Sequence, residues 1–566
     1  MFSSIFLFVS LAVAAVQALN DWSKPCLSGV CSYDLPDSTE SSSGSLKIWG
    51  SRDAISDITV AAGWNIINCS CSSDELAQDV RLVCNNDDPV AAGCSHLYEG
   101  SGAEGKIVRL PESCGKNAFA RVARAWIPDD QSIPESISGK IVRRNDSRPQ
   151  VKALTLDTNF SAVDPSKAGP VNFAVQGANV KGASADIDIS SMNGNVERDL
   201  TGFVGNAIDS IKNLDTFNFN KSLSPQPFGI DRTVNLFNES VSCPPNTASL
   251  TVDANANATV AAIFGVAASG RFFPFRVNDF AMIIRMSGDI DSSVTMKATA
   301  SGTLERKLPI FGPVGIPELN FRGVFTIGPT FEVNGQVSAE LDLEADMTVG
   351  LNYHFDNAEL VFPDDKTGTA GNSNSFAIDD TPLKLSVSPS VKATGNVQAH
   401  LIPSLNLSVS AHKFGTGIFL NLDAFAEMDL SLEVSGESTV EPTAAVTSSV
   451  ASSANSSTTV FLEDSGASLG GCFNVTVGLD VNAGADADFF GLFDENTQVS
   501  LFNKTFELFE KCFNNQKRSL AVNSSLASAS LTKPTELTCP TAGSASSISV
   551  IDQVVKAGTI RAVPKV

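Results

Sequence analysis

The chain has 566 residues, a net charge of −23 and a pI near 4.6. That acidity argues against nucleic acid or an anionic membrane surface as a partner, because an acidic protein releases no counterions from phosphate. The length allows two or three domains.

Residues 1–18 read as a secretory signal. The apolar run 5–16 is too short to span a bilayer, and Val16-Gln17-Ala18 supplies the small-residue pattern before a cut ahead of Leu19. No later apolar run reaches 18 residues, so no transmembrane segment is expected. The sequence closes on Ile560-Arg-Ala-Val-Pro-Lys-Val566, without the hydrophobic tail of a GPI anchor. Eleven sequons fit an exported, N-glycosylated, extracellular protein: Asn68, Asn145, Asn159, Asn220, Asn238, Asn257, Asn406, Asn455, Asn474, Asn503 and Asn523.

Seven of the eleven cysteines lie early (Cys26, Cys31, Cys69, Cys71, Cys84, Cys94 and Cys114), as do all four tryptophans, Trp22, Trp49, Trp64 and Trp126. Residues 19–135 therefore predict a small disulfide-rich β domain with strands at 46–49 and 106–110 and one or two helical turns over 75–83. The expected bridges are Cys26–Cys31, Cys94–Cys114, and Cys84 with Cys69 or Cys71. Farther on, Cys472–Cys512 and Cys243–Cys539 are the expected pairs. Sequence alone leaves connectivity open, and an odd total leaves one thiol over. Pro128, Pro134 and Pro149, with Ser and Asp between them, mark a linker at 136–150.

Residues 151–513 read as a large antiparallel β domain. Helical spacing of Val196, Leu200, Phe203, Val204, Ala207, Ile208, Ile211 and Leu214 predicts one helix. The dominant signal is the stretch 330–356, where every odd position is apolar or Gly and the even ones, apart from Gly350, are polar. Successive strand residues point to opposite faces, so one face is buried and the other wet. So long a run implies an unusually long strand or turns near Gly335 or Gly350. Gly312-Pro313, Ile316-Pro317 and Gly328-Pro329 read as turns before it. Further alternation covers 282–300, 383–401, 405–411, 418–434 and 473–489. The fold class expected is mainly β: a large elongated antiparallel β-sandwich or curved sheet with one helix, plus the small disulfide-rich β domain. The Ser/Thr/Ala-rich stretch 436–458 reads as a flexible insertion and the Ser-rich 514–566 as a disordered tail.

Motifs that could carry chemistry are few. Glu340, Asp342, Glu344 and Asp346 form a carboxylate ladder about 6.6–7 Å per rung on one strand face. It would hold calcium only if a neighbouring element completed the oxygen shell, and otherwise it is a solvated face. Gly466-Ala467-Ser468-Leu469-Gly470 matches a nucleophile elbow, but a strand follows it and no His comes later. Of four histidines, His354, His400 and His412 could meet on zinc if their strands paired suitably; His96 lies in the cysteine-rich region. No cofactor motif is present. The large domain has no Trp and many Phe, which suits a dry core or an apolar-ligand cavity; a glycan would favour the Trp-bearing region. Lys517-Arg518, past the last expected strand, is a candidate dibasic processing site, with Arg143-Arg144 a second.

The run Gly312-Pro-Val-Gly-Ile-Pro-Glu-Leu-Asn-Phe-Arg-Gly-Val-Phe-Thr-Ile-Gly-Pro-Thr-Phe331 before the long alternating stretch resembles secreted fungal proteins grouped as a domain of unknown function. Gly93-Cys-Ser-His-Leu97 through Arg109-Leu-Pro-Glu-Ser-Cys-Gly115 is similar to exported proteins of mushroom-forming fungi. The resemblance implies fungal secretion and a β-rich body, and no activity. The expectation is a secreted non-enzymatic protein of the fungal cell surface, wall or matrix, with cell-wall glycan as a partner. The alternative is a carrier of an apolar ligand such as a lipid in a Phe-lined cavity, and a carbohydrate-active hydrolase is the third class.

Overall fold

The computed structural model describes residues 24–35, 42–70, 77–111, 113–115, 117–142, 148–184, 186–189, 196–214, 228–273, 276–322, 324–342, 345–362, 376–387, 393–411, 414–435, 468–485, 498–513, 536–539 and 548–563. The chain is mainly antiparallel β and divides into two compact units: 1–207 with 267–279 and 319–325, and 208–266 with 280–318 and 326–566.

In the first unit a six-stranded sheet runs in the order Ile55–Asp57, Ile107–Arg109, Phe119–Trp126, Lys152–Asp157, Ala77–Cys84, Trp64–Ile67. Strand Ala77–Cys84 replaces the helical turns expected at 75–83. Val80, Leu82 and Cys84 alternate inward there, so the period is 2. The expected linker at 136–150 does not end this unit. Lys152–Asp157 returns to pair with both Ala77–Cys84 and Phe119–Trp126, and Val171–Ala178 pairs with Ser43–Trp49.

Three disulfides staple this unit: Cys26–Cys31, Cys69–Cys114 and Cys84–Cys94. The expected Cys94–Cys114 pair and the pairing of Cys84 with Cys69 or Cys71 are both corrected. Cys84 ends its strand 6.1 Å from Cys94 between Cα atoms, within bridging range. Cys71 lies outside the described residues.

The second unit holds two groups of strands. A front sheet orders Asn246–Phe273, Arg276–Ala298, Ala345–Phe362, Thr381–Val387 and Ile548–Val555, with Phe228–Cys243 beside the first strand and Phe376–Ile378 beside the third. A back sheet orders Glu536–Thr538, Ser301–Gly315, Phe325–Asp342, Ala393–Ala411, Phe414–Ser435, Ser468–Ala485, Gln498–Phe513 and Arg561–Ala562. The stretch 330–356 is therefore two strands in two sheets. The first strand ends at Asp342 and the second begins at Ala345, not near Gly335 or Gly350, while Gly328-Pro329 sits inside a strand. Parity survives the change: Phe331, Val333, Val337 and Ala339 are buried, as are Met347, Val349, Leu351, Tyr353 and Phe355. Gly312 is likewise no plain turn. At φ +85° it makes the bulge in Ser301–Gly315 where the register shifts between Phe311 and Val314.

The helix Val196–Lys212, the one long helix among the described residues, was expected. Its end seats Ile211 in the space that Gly265 leaves open, since a Cβ there would lie 2.6 Å from the Ile211 side chain. Lys212 and Arg285 both pair with Glu359. Across the sandwich, the buried Tyr353 hydroxyl donates to the Gly478 carbonyl at 2.9 Å. Burial raises its pKa, so it stays a donor.

The expected disordered tail 514–566 is corrected in part. Residues 514–535 and 540–547, and with them Lys517-Arg518, lie outside the described residues, but 536–539 and 548–563 hold three strands. The β-branched run Ile548, Val550, Ile551, Val554, Val555 outweighs the Ser-rich composition around it. Cys243–Cys539 and Cys472–Cys512 are bridged. The 436–458 insertion and Arg143-Arg144 lie outside the described residues.

Replacing Leu351, 1% exposed, by Ala is expected to cost about 2–5 kcal/mol. The same change at exposed Glu340 should stay within about 0.5 kcal/mol. Denaturant midpoints of the two variants check this. Equal losses would mean that the alternation does not set the buried face.

Candidate functional site

The carboxylate ladder does not assemble. Glu340 stands opposite Thr303 in the back sheet, whereas Asp346 stands opposite Lys297 in the front sheet. Both are exposed; the side chain of Asp342 and all of Glu344 lie outside the described residues. The three histidines do not converge either. His354 is on a front-sheet strand and His400 on a back-sheet strand, each on the polar face turned from the shared core, and His412 is outside the described residues. Among the described residues no group of three or more His, Cys, Asp or Glu has the spacing to hold a metal ion. Ser468 of the elbow motif opens strand Ser468–Ala485, not a strand-to-helix turn.

Two further gatherings of polar groups stand out among the described residues. The first is the outer face of the back sheet. Gln398 and Asn396 donate to Glu427 at 2.9 and 3.2 Å, and Asn396 also donates to Asp429 at 2.8 Å. His400 Nδ1 lies 2.8 Å from Asp423, which faces Asp480 on the next strand. Phe425 and Phe419 lie over Gly478 and Gly484, where an added Cβ would meet the rings at 2.2 and 2.3 Å. Asn406, Asn474 and Asn503 share this face. Side chains on a pleated sheet stand side by side. This array can hydrogen-bond a polyhydroxylated surface or carry glycans, but its carboxylates do not oppose each other across a cleft as a glycosidase pair does.

The second gathering is in the first unit. Ser56 Oγ is 3.0 Å from His96 Nδ1, a nucleophile–base distance. The two residues are only 0% and 4% exposed. The imidazole hydrogen-bonds the Leu27 backbone where a triad would place a carboxylate. Close by, Lys106 donates to the His96 and Glu99 carbonyls, and burial lowers its pKa. Asp57 takes two hydrogen bonds from Arg109 and one each from the backbone N–H of Cys26 and Thr59. These groups pin residues 24–27 to the sheet. Charged residues paired inside a domain look like surface residues in a sequence, so reading the residues missed this cluster. Trp49 and Trp64 are buried, and Trp126, half-buried, lies under Arg124. Two of the four Trp thus pack a core.

Between the sheets of the second unit, Val260, Ala262, Met286, Phe331, Leu405 and Leu422 line an apolar cavity. Its volume is about 10 Å³, on the order of one water and far below a lipid.

Residues 230–460 match a family described as a domain of unknown function (DUF7223). The match runs from Phe228–Cys243 through Phe414–Ser435 of the second unit and on to residue 460. No curated protein and no solved structure matches the chain.

His354 and His96 should titrate in opposite senses. A hydrogen bond to Asp289 at 2.6 Å raises the His354 pKa above 6.5, whereas burial, helped by the charge of Lys106, lowers that of His96. The His354 contribution to stability is therefore present below pH 6.5 and lost as pH rises through its raised value. That of His96 is present above pH 6.5 and lost as pH falls. The exposed His354 pair contributes little. NMR titration should show His354 moving down toward 6.5 in Asp289→Asn with His96 unchanged. An unmoved His354 would refute the pairing.

Proposed function

We propose that the protein is an exported, N-glycosylated, non-enzymatic component of the fungal cell surface, wall or surrounding matrix. The supporting observation is the placement of the sequons. Asn238 and Asn257 in the front sheet, and Asn406, Asn474 and Asn503 in the back sheet, all lie on strand faces turned from the shared core. Both broad faces of the second unit can therefore carry sugar without disturbing the packing between the sheets. Five disulfides fit an oxidising compartment. Wall glycan is the partner this reading favours, met by the amide and carboxylate array of the back sheet and by the protein's own glycans. The carrier reading needs a cavity far larger than the one described between the sheets, so it ranks second.

Glycopeptide mapping of secreted protein tests the proposal. Asn68, Asn238, Asn257 and Asn503 are exposed and should be occupied. Unmodified asparagine at all four in protein recovered from the medium would overturn it.

A further inference from the structure

One late stretch of the chain supplies an outermost strand at three sheet edges of the second unit. Glu536–Thr538 and Arg561–Ala562 are the outermost strands at the two ends of the back sheet, and Ile548–Val555 is outermost at one end of the front sheet. Three strands within 27 residues thus lie over three edges that would otherwise present unpaired N–H and C=O groups. Everything they pair with comes earlier in the chain, so those edges stand open until this segment arrives.

The main contact is with strand Thr381–Val387. Val555 faces Thr381 and Ile548 faces Val387, with a register shift between Leu385 and Ser386. Beneath this pairing Leu383 and Leu385 are 0% exposed, and Val550, Ile551 and Val555 are buried. Asp552 pairs with Lys384, and Lys556 with Asp380. Both ion pairs are largely exposed and contribute little. The other two strands span three and two residues. Cys243–Cys539, which bridges residues 296 apart, adds a covalent hold to this pairing.

We propose that residues 536–539 and 548–563 are a tethered edge guard, and that the edge of Thr381–Val387 is a strand-docking surface which accepts the Ile548–Val555 strand of a second copy once an external thiol reductant, itself oxidised to a disulfide, has reduced Cys243–Cys539 to two thiols. Backbone pairing supplies the affinity, and apolar seats plus the Lys384–Asp552 pair set the register. The occupant is a second copy because the guard strand already fits this edge over its whole length, and exchange of identical strands needs no new surface. The disulfide decides the outcome: it keeps the guard on its own copy.

The test uses the full chain and a fluorescent peptide of residues 546–558. Oxidised wild type should stay monomeric and take up no peptide. Cys539→Ser, and separately Cys243→Ser, should bind it and form concentration-dependent dimers seen by native mass spectrometry. Lys384→Glu in the Cys539→Ser chain should weaken binding by about threefold, as expected for an exposed pair, and a peptide bearing Asp552→Lys should restore it. Failure of both cysteine variants to bind, or binding by oxidised wild type at the same strength, would overturn the proposal. Should the variants misfold, hydrogen exchange on wild type decides. Residues 381–387 and 548–555 must open together and faster than 414–435; protection of 548–555 equal to the slowest amides would overturn it.

Discussion

Each long strand of the second unit has to hide one face and wet the other, and its remaining features follow from that. Two sheets meet apolar face to apolar face, so most polar side chains are turned outward: the described carboxylates and amides, the exposed histidine and the sequons. The price is that functional groups lie spread over broad pleated surfaces. A converging acid–base pair needs walls, and a sheet face supplies none. The same constraint permits glycosylation on both faces.

Alternation sets faces but leaves edges open. Antiparallel strands of 15 to 28 residues present long rows of backbone donors and acceptors. This chain answers with a late segment that pairs with three edge strands, over seven, three and two residues, and is locked by a disulfide to Phe228–Cys243, a strand nearly 300 residues earlier. The cross-strand bond Cys472–Cys512 holds the register of Ser468–Ala485 and Gln498–Phe513 in the same way, because the two cysteines lie directly opposite each other.

Much of this architecture is legible in the residues. The odd positions of 331–339 and 345–355 declare the buried face, and the helix declares itself by its spacing. The move from the back-sheet strand ending at Asp342 to the front-sheet strand beginning at Ala345 is silent, because both sheets bury the same parity. Gly328-Pro329 misleads for a physical reason: within Phe325–Asp342 it reads as a break, although the strand runs through it. Composition hides the edge guard, since serine-rich surroundings mask a short β-branched run. The buried Ser56–His96, Lys106 and Asp57–Arg109 groups were beyond reach, as their partners lie up to 52 residues apart and only the fold brings them together. Connectivity among Cys69, Cys84, Cys94 and Cys114 was equally a matter of which strand ends meet.

The central claim is that the space between the sheets is filled by the protein's own side chains and that the outside carries sugar. Native mass spectrometry of protein purified from its host tests it most directly. The account predicts a mass equal to the polypeptide plus N-glycans, falling to the bare polypeptide after enzymatic deglycosylation. A stoichiometric apolar ligand that survives desalting and leaves only on denaturation would contradict it.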